Sequence, residues 1–316
     1  MTTHIIIFVI SFFILIFASK WLVKSLTRVA RLLGWKEFVV AFFTMALASS
    51  IPNLSVGIIS ALRNIPSLAF GEIIGNNIID LTLAVALAAI ISKNGLRLPS
   101  QMVQTSGLFT IFVAVLPPIM AFDGVIGRGD GIMLILIFLI YVFWLFNKKD
   151  RFSKIYNHAD KKFRLKRFFK NIFILLAAVG LLILAAEGIV RSAMYFSEFL
   201  NVPLVLIGVL VVGMGNALPE IFFGIQAARK GEDWVVIGDL MGSVIITATL
   251  VLGLVALIRP IIVENIAPFA VARLFLVISA AFFILFLRTG RKITKKEAIW
   301  LFLIFVAFVA AEIMFL

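Results

Sequence analysis

Long apolar runs broken by short polar turns fill this chain. Stretches suited to crossing a bilayer run over 5–19, 38–62, 69–91, 102–122, 131–147, 171–190, 202–228, 235–258, 269–287 and 298–315. Most are near the roughly 20 apolar residues that a hydrocarbon core of about 30 Å requires. The breaks between them carry turn and charge signals, such as Arg63-Asn64-Ile65-Pro66, Lys93-Asn94-Gly95, Gly127-Arg128-Gly129-Asp130, Asn201-Val202-Pro203 and Arg259-Pro260. The pattern predicts an all-α polytopic membrane protein with about ten transmembrane helices. The first run has no basic residues ahead of it and no small-x-small cleavage site, so it reads as a retained helix and not a signal peptide.

Charge placement supports the same segmentation. The odd-numbered connections between runs hold 24 Lys and Arg, whereas the even-numbered ones hold one each, Arg63, Arg128, Arg191 and Arg259. The positive-inside rule then predicts cytoplasmic odd connections, extracytoplasmic termini and a multi-pass protein of the cell membrane. Ten of the basic residues lie in 148–170, the one sizeable connection. It divides the chain into a first five-helix repeat (1–147), a basic cytoplasmic loop (148–170) and a second, inverted five-helix repeat (171–316). The loop reads as a topology anchor that also meets anionic headgroups of the lipid bilayer.

Composition excludes several classes. The chain is 63% hydrophobic and 14% charged, against about 45–50% and 25% in soluble domains. Its formal net charge of +13 would suit nucleic acid only if the basic residues gathered on a soluble face, and they do not, so no nucleic-acid partner is expected. Zero Cys excludes disulfides and thiolate metal sites, and the two His, His4 and His158, lie outside the apolar core.

The chain is internally duplicated. Shifted by 167 residues, Ala18 to Ile91 aligns with Ala185 to Ile258 without a gap, and Pro52/Pro219, Gly57/Gly224, Gly71/Gly238 and Gly75/Gly242 coincide. Each unit contains five helices, an odd number, so the copies cross the membrane in opposite senses. Inverted repeats of this kind build secondary transporters with substrate near the midplane.

Two pairs of segments carry the candidate chemistry. The first pair is Ala46-Leu-Ala-Ser49-Ser50-Ile-Pro52-Asn53 and its mate Gly213-Met-Gly215-Asn216-Ala217-Leu-Pro219-Glu220. A proline inside a span kinks the helix and frees carbonyl oxygens, which must then face protein, water or an ion. Glu220 lies deep in its span, where a lone carboxylate costs about 2.5–3.5 kcal/mol. The second pair is Gly71-Glu72-Ile-Ile-Gly75-Asn76-Asn77-Ile-Ile-Asp80 and Gly238-Asp239-Leu-Met-Gly242-Ser243-Val-Ile-Ile-Thr247. Glu72, Asn76 and Asp80 share one helix face, as do Asp239, Ser243 and Thr247. Such oxygen-bearing stripes suit a hard cation, and they also suit hydrogen-bonded contact between helices.

These paired segments resemble the alpha-repeats of the cation/calcium exchanger superfamily, which includes sodium/calcium exchangers. The resemblance implies four central helices enclosing several cation positions, with two further helices sliding across them in alternating access. It places ion-coordinating residues at Ala46, Ser49, Ser50, Asn53, Asn76 and Asp80 in one repeat, and at Gly213, Asn216, Ala217, Glu220, Ser243 and Thr247 in the other. Asn53 stands where the family usually has an acid. Glu72 and Asp239 stand where Asn is common, and they flank the central carboxylates Glu220 and Asp80.

The expected function is a secondary cation antiporter, moving calcium or another cation against sodium or protons. Inorganic cations are its expected partners and transported ions its only expected ligands, with no cofactor and no protein partner inferred. A five-plus-five transporter of a small organic solute and a non-transporting cation-binding relative remain alternatives. An enzyme is not expected, because HExxH, GxSxG, DDxxD and P-loop motifs are all missing from the sequence.

Overall fold

The structure, a computed structural model, describes residues 1–32, 37–97, 101–147, 165–263, 266–288 and 292–314. Most of the basic connection, 148–164, lies outside them. The described residues form ten helical rods. In the first half these are α1 (Thr2–Leu32), α2 (Glu37–Leu62), α3 (Pro66–Ile79, Asp80–Ala84 and Val85–Ile91 in one run), α4 (Gln101–Met120) and α5 (Arg128–Asn147). In the second they are α6 (Leu165–Leu200), α7 (Leu204–Ile207, Gly208–Val212 and Gly213–Arg229), α8 (Asp233–Ile246, Thr247–Val251 and Leu252–Ile258), α9 (Ile266–Arg288) and α10 (Lys295–Met314). Eight helices among the described residues are long and apolar enough to cross a membrane, so the chain is an integral, multi-pass protein.

Element bounds repeat at the offset seen in the sequence. The three parts of α3 recur in α8 shifted by 167 residues, and α2 coincides with α7. The turns that introduce α3 and α8 match as well. Asn64 (φ 62°) and its mate Gly231 (φ 76°) both hold the left-handed conformation that reverses the chain.

Burial separates a central bundle from lipid-facing helices. Of the apolar spans, 83% of α3 and 72% of α8 are buried, against 28% in α1, α6 and α10. Helices α1 and α6 are 31 and 36 residues long, roughly 46 and 54 Å at 1.5 Å per residue. Both overrun the apolar windows 5–19 and 171–190, because neither 20–32 nor 191–200 holds a Gly or Pro to end the helix. The two pack on each other, and their interface with α2 and α7 has its own apolar cluster, including Leu15, Leu182, Ile189, Ile207 and Val212, separate from the main core.

Small ribbons tie the connections together. Strand β1 (Leu96–Arg97), after α3, pairs with β4 (Lys292–Ile293), before α10. Strand β2 (Val125–Ile126), before α5, pairs with β3 (Ile261–Ile262), before α9. Each ribbon joins two connections of the same parity. Asp233, the first residue of α8, likewise accepts from Ser92 and from the Arg97 N–H beyond α3. The odd and even connections therefore form two separate faces, as an alternating ten-span chain requires.

Candidate cation site

The site lies where α2, α3, α7 and α8 meet. Both α3 and α8 change from α-helix to one π-helical turn at the centre of the span, over Asp80–Ala84 and Thr247–Val251. A third π turn, Gly208–Val212, precedes the polar part of α7. Such turns shift hydrogen-bond register, redirect side chains and are frequent at functional sites. Helix runs through both Pro52 and Pro219, and in α7 a π turn lies ahead of Pro219.

Glycines let the bundle close tightly on the even side. A Cβ on Gly71 would overlap the Val205 carbonyl of α7, and one on Gly75 the Val209 carbonyl. Gly208 and Gly213 face α3 from the other side, with Glu72 backbone atoms as neighbours. The mates on α8 sit differently: Gly238 is exposed, and Asp239 and Gly242 are half-buried.

Side-chain hydrogen bonds cross between the repeats. The Asn216 Nδ2 donates to Glu72 Oε1 at 2.6 Å. Within α3, Asn76 Nδ2 donates to Asp80 Oδ2 at 2.9 Å. The Thr247 hydroxyl lies 2.8 Å from Asn77 Oδ1 and also 2.8 Å from the Ser243 carbonyl, either of which can accept its proton. Asp80 lies within electrostatic reach of Ser243 and Asp239 on α8. Glu220 lies within reach of Asp80, Asp239 and Glu72.

Much of this polar surface is nevertheless bare. Both oxygens of Glu220 are buried without a hydrogen-bond partner, as are Asp80 Oδ1, Glu72 Oε2, Asn53 Oδ1, Asn76 Oδ1, Asn216 Oδ1 and Ser243 Oγ. Each such atom costs about 1–3 kcal/mol, more if charged. Among the described residues no Lys or Arg is buried, so no side-chain cation balances these carboxylates. Oxygen atoms from carboxylate, amide and hydroxyl groups are the donors a hard cation uses. Among the described residues no three acidic or histidine side chains are grouped to hold one metal ion. A cation here would draw on Asn and Ser oxygens as well as the acids.

Most expected site residues are buried, and the contacts above link Glu72, Asn76, Asp80, Asn216, Glu220 and Ser243. Ser50, Asn53, Glu72, Asn76, Asp80, Asn216, Glu220, Ser243 and Thr247 are all buried, while Asp239 is partly open. Five of them are tied to other side chains: Glu72 to Asn216, Asn76 to Asp80, and Thr247 to Asn77. The side chains of Ser49 and Ala46 lie outside the described residues. Gly213 and Ala217 supply no side-chain oxygen and serve as close-packing points. Asn77, fully buried with Nδ2 unpartnered, was not among the expected residues. Its signal was present in the sequence, since it is the second amide in the run that ends at Asp80.

The family model described as sodium/calcium exchanger protein matches residues 3–147 and 170–314. The sodium/calcium exchanger MaX1 of Methanosarcina acetivorans is 27% identical over 97% of both chains. The inner membrane protein YrbG of Escherichia coli is 22% identical over 84% of this chain and 82% of its own. Among solved structures, the sodium-calcium exchanger NCX_Mj soaked with sodium and strontium superposes with a TM-score of 0.65 at 23% identity, covering 98% of each chain.

Proposed function

The chain belongs to the sodium/calcium exchanger protein family, and from that premise we propose that it is a secondary cation antiporter whose cargo sits among Asn53, Asn76, Asp80, Glu220 and Ser243. The observation that carries this reading is the pair of central carboxylates, Glu220 and Asp80, with three bare buried oxygens between them. A buried ionised carboxylate without a partner is strongly unfavourable, and a divalent cation neutralises both at once. The cargo is calcium or another divalent ion, moved against sodium or protons. Asn53 removes one charge where the family usually has an acid, which favours one divalent site over several sodium sites held at the same time.

Two inverted repeats give two related packings of the same helices, in which the site opens to one face or the other. The charge bias supports a cytoplasmic odd face. The buried Gly71 and Gly75 against the more exposed Gly238 and Gly242 fit a state closed on the even face. An organic-solute reading finds less support, because a cavity of about 390 Å³ lined by Asn64, Pro66, Pro203 and Arg259 lies at the even face and not at the carboxylates.

Gradient-driven calcium uptake into proteoliposomes tests the reading. Glu220→Gln and Asp80→Asn should each abolish uptake that the unmodified protein supports. Uptake at the unmodified rate in both variants would overturn the site.

A further inference from the structure

Away from the cation site, an apolar groove of about 370 Å³ runs along α1 past Ile10, Phe13, Phe17 and Trp21, with Leu181 of α6 at its edge. Phe13, Phe17 and Trp21 are more than half exposed. From Ile10 to Trp21 the helix rises about 16 Å, close to one leaflet of a hydrocarbon core of about 30 Å. Beside it is Lys20, whose ammonium lies 5.8 Å from the ring centroid of the groove residue Phe17, and Lys24 follows one turn later, also exposed. Trp and Lys at this height are the residues that meet lipid headgroups.

The inverted repeat supplies an independent argument. At the even end of the α1–α6 pair, the mate of Lys20 is Glu187, which accepts hydrogen bonds from both Arg63 and Arg191. The mates of those two arginines are Lys230 and Lys24. One end of the pair thus has two cations gathered on a carboxylate, whereas the corresponding repeat positions, Lys20, Lys24 and Lys230, hold three cations and no acid. Neither Lys20 nor Lys24 forms an ion pair among the described residues.

We propose that the groove binds an anionic phospholipid of the odd-face leaflet, with one acyl chain along Ile10 to Phe17 and its phosphate at Lys20 and Lys24. The lipid phosphate supplies on this face the negative charge that Glu187 supplies on the other. It steadies the α1–α6 pair, which meets the central bundle through an apolar cluster of its own.

Quenching of Trp21 fluorescence by lipids with brominated acyl chains tests this, with Trp21→Phe subtracted to isolate its signal. In mixed micelles of the full chain, brominated phosphatidylglycerol should quench Trp21 at a lower mole fraction than brominated phosphatidylcholine. The preference should fall about fivefold for each lysine lost in Lys20→Gln and Lys24→Gln, and it should weaken in high salt. Retained quenching by phosphatidylcholine in the variants reports that the groove is still folded. Coincident curves for the two lipids, or a preference unchanged by the double variant, would overturn the proposal. The readout is independent of cation exchange.

Discussion

The Asn216 amide of α7 donates a 2.6 Å hydrogen bond to the Glu72 carboxylate of α3, joining residues 144 positions apart across the two repeats. Glu72 has no exposed surface, and its second oxygen has no partner. Asn216 therefore provides the one side-chain donor that this acid has among the described residues. Asn216→Leu should lower unfolding stability by about 1–3 kcal/mol, the usual cost of leaving a buried polar group without its partner. Glu72→Gln keeps the shape and an oxygen that can accept from Asn216, so it should cost less than about 1 kcal/mol. Thermal unfolding in detergent compares the two, and equal losses would show that the contact carries no special weight.

The glycine pair Gly71 and Gly238 offers a test of the two packings. Gly71 touches the α7 backbone at Val205, and a methyl group there has nowhere to go. Gly71→Ala should destabilise the protein by about 1–3 kcal/mol through overpacking. Gly238 occupies the mirrored position and is exposed. Gly238→Ala should therefore leave the unfolding temperature near its original value while slowing exchange, because the opposite packing needs the same close approach at Gly238. Exchange at the unmodified rate would show that α8 never makes it.

Asn77 can be probed with the residue its own mate already uses. Val244 stands at the corresponding position in α8, so Asn77→Val introduces a side chain of suitable shape but takes away the acceptor at 2.8 Å from the Thr247 hydroxyl. The hydroxyl retains the Ser243 carbonyl, and the expected loss is about 1 kcal/mol. Adding Thr247→Val should then cost little more, which a double-mutant cycle would read directly.

How far the site could be read from sequence follows from what each signal depends on. Four-residue spacing placed Glu72, Asn76 and Asp80 on one face, because helical geometry is local, and the mirrored Asp239, Ser243 and Thr247 followed from the duplication. Partner choice is not local. Nothing near Glu72 in the chain shows that it meets Asn216, and nothing near Thr247 points to Asn77. The π turns at Asp80 and Thr247 were not foreseen either, because one extra residue per turn leaves an apolar helix equally apolar. Pro52 and Pro219 each remove one donor, but a neighbouring bundle can absorb that loss without breaking the helix.

Asn53 is the position where composition and geometry make the sharpest joint claim. It is fully buried, and neither its amide nitrogen nor its oxygen has a partner. In the alignment of the repeats it is the mate of Glu220, so a carboxylate at 53 would stand opposite an acid already lacking a balancing cation. Asn53→Asp changes one atom and adds one negative charge to the cage. Without cation this charge should destabilise the fold, since it adds repulsion to a desolvated group. With a divalent ion bound, the same charge turns attractive, and calcium affinity should rise at least about tenfold, equivalent to about 1.4 kcal/mol. The two effects have opposite signs and one measurement separates them: unfolding temperature against calcium concentration should start lower in the variant and rise more steeply. A curve that stays parallel to that of the unmodified protein would place the ion out of reach of Asn53 and confine the cage to Asp80 and Glu220.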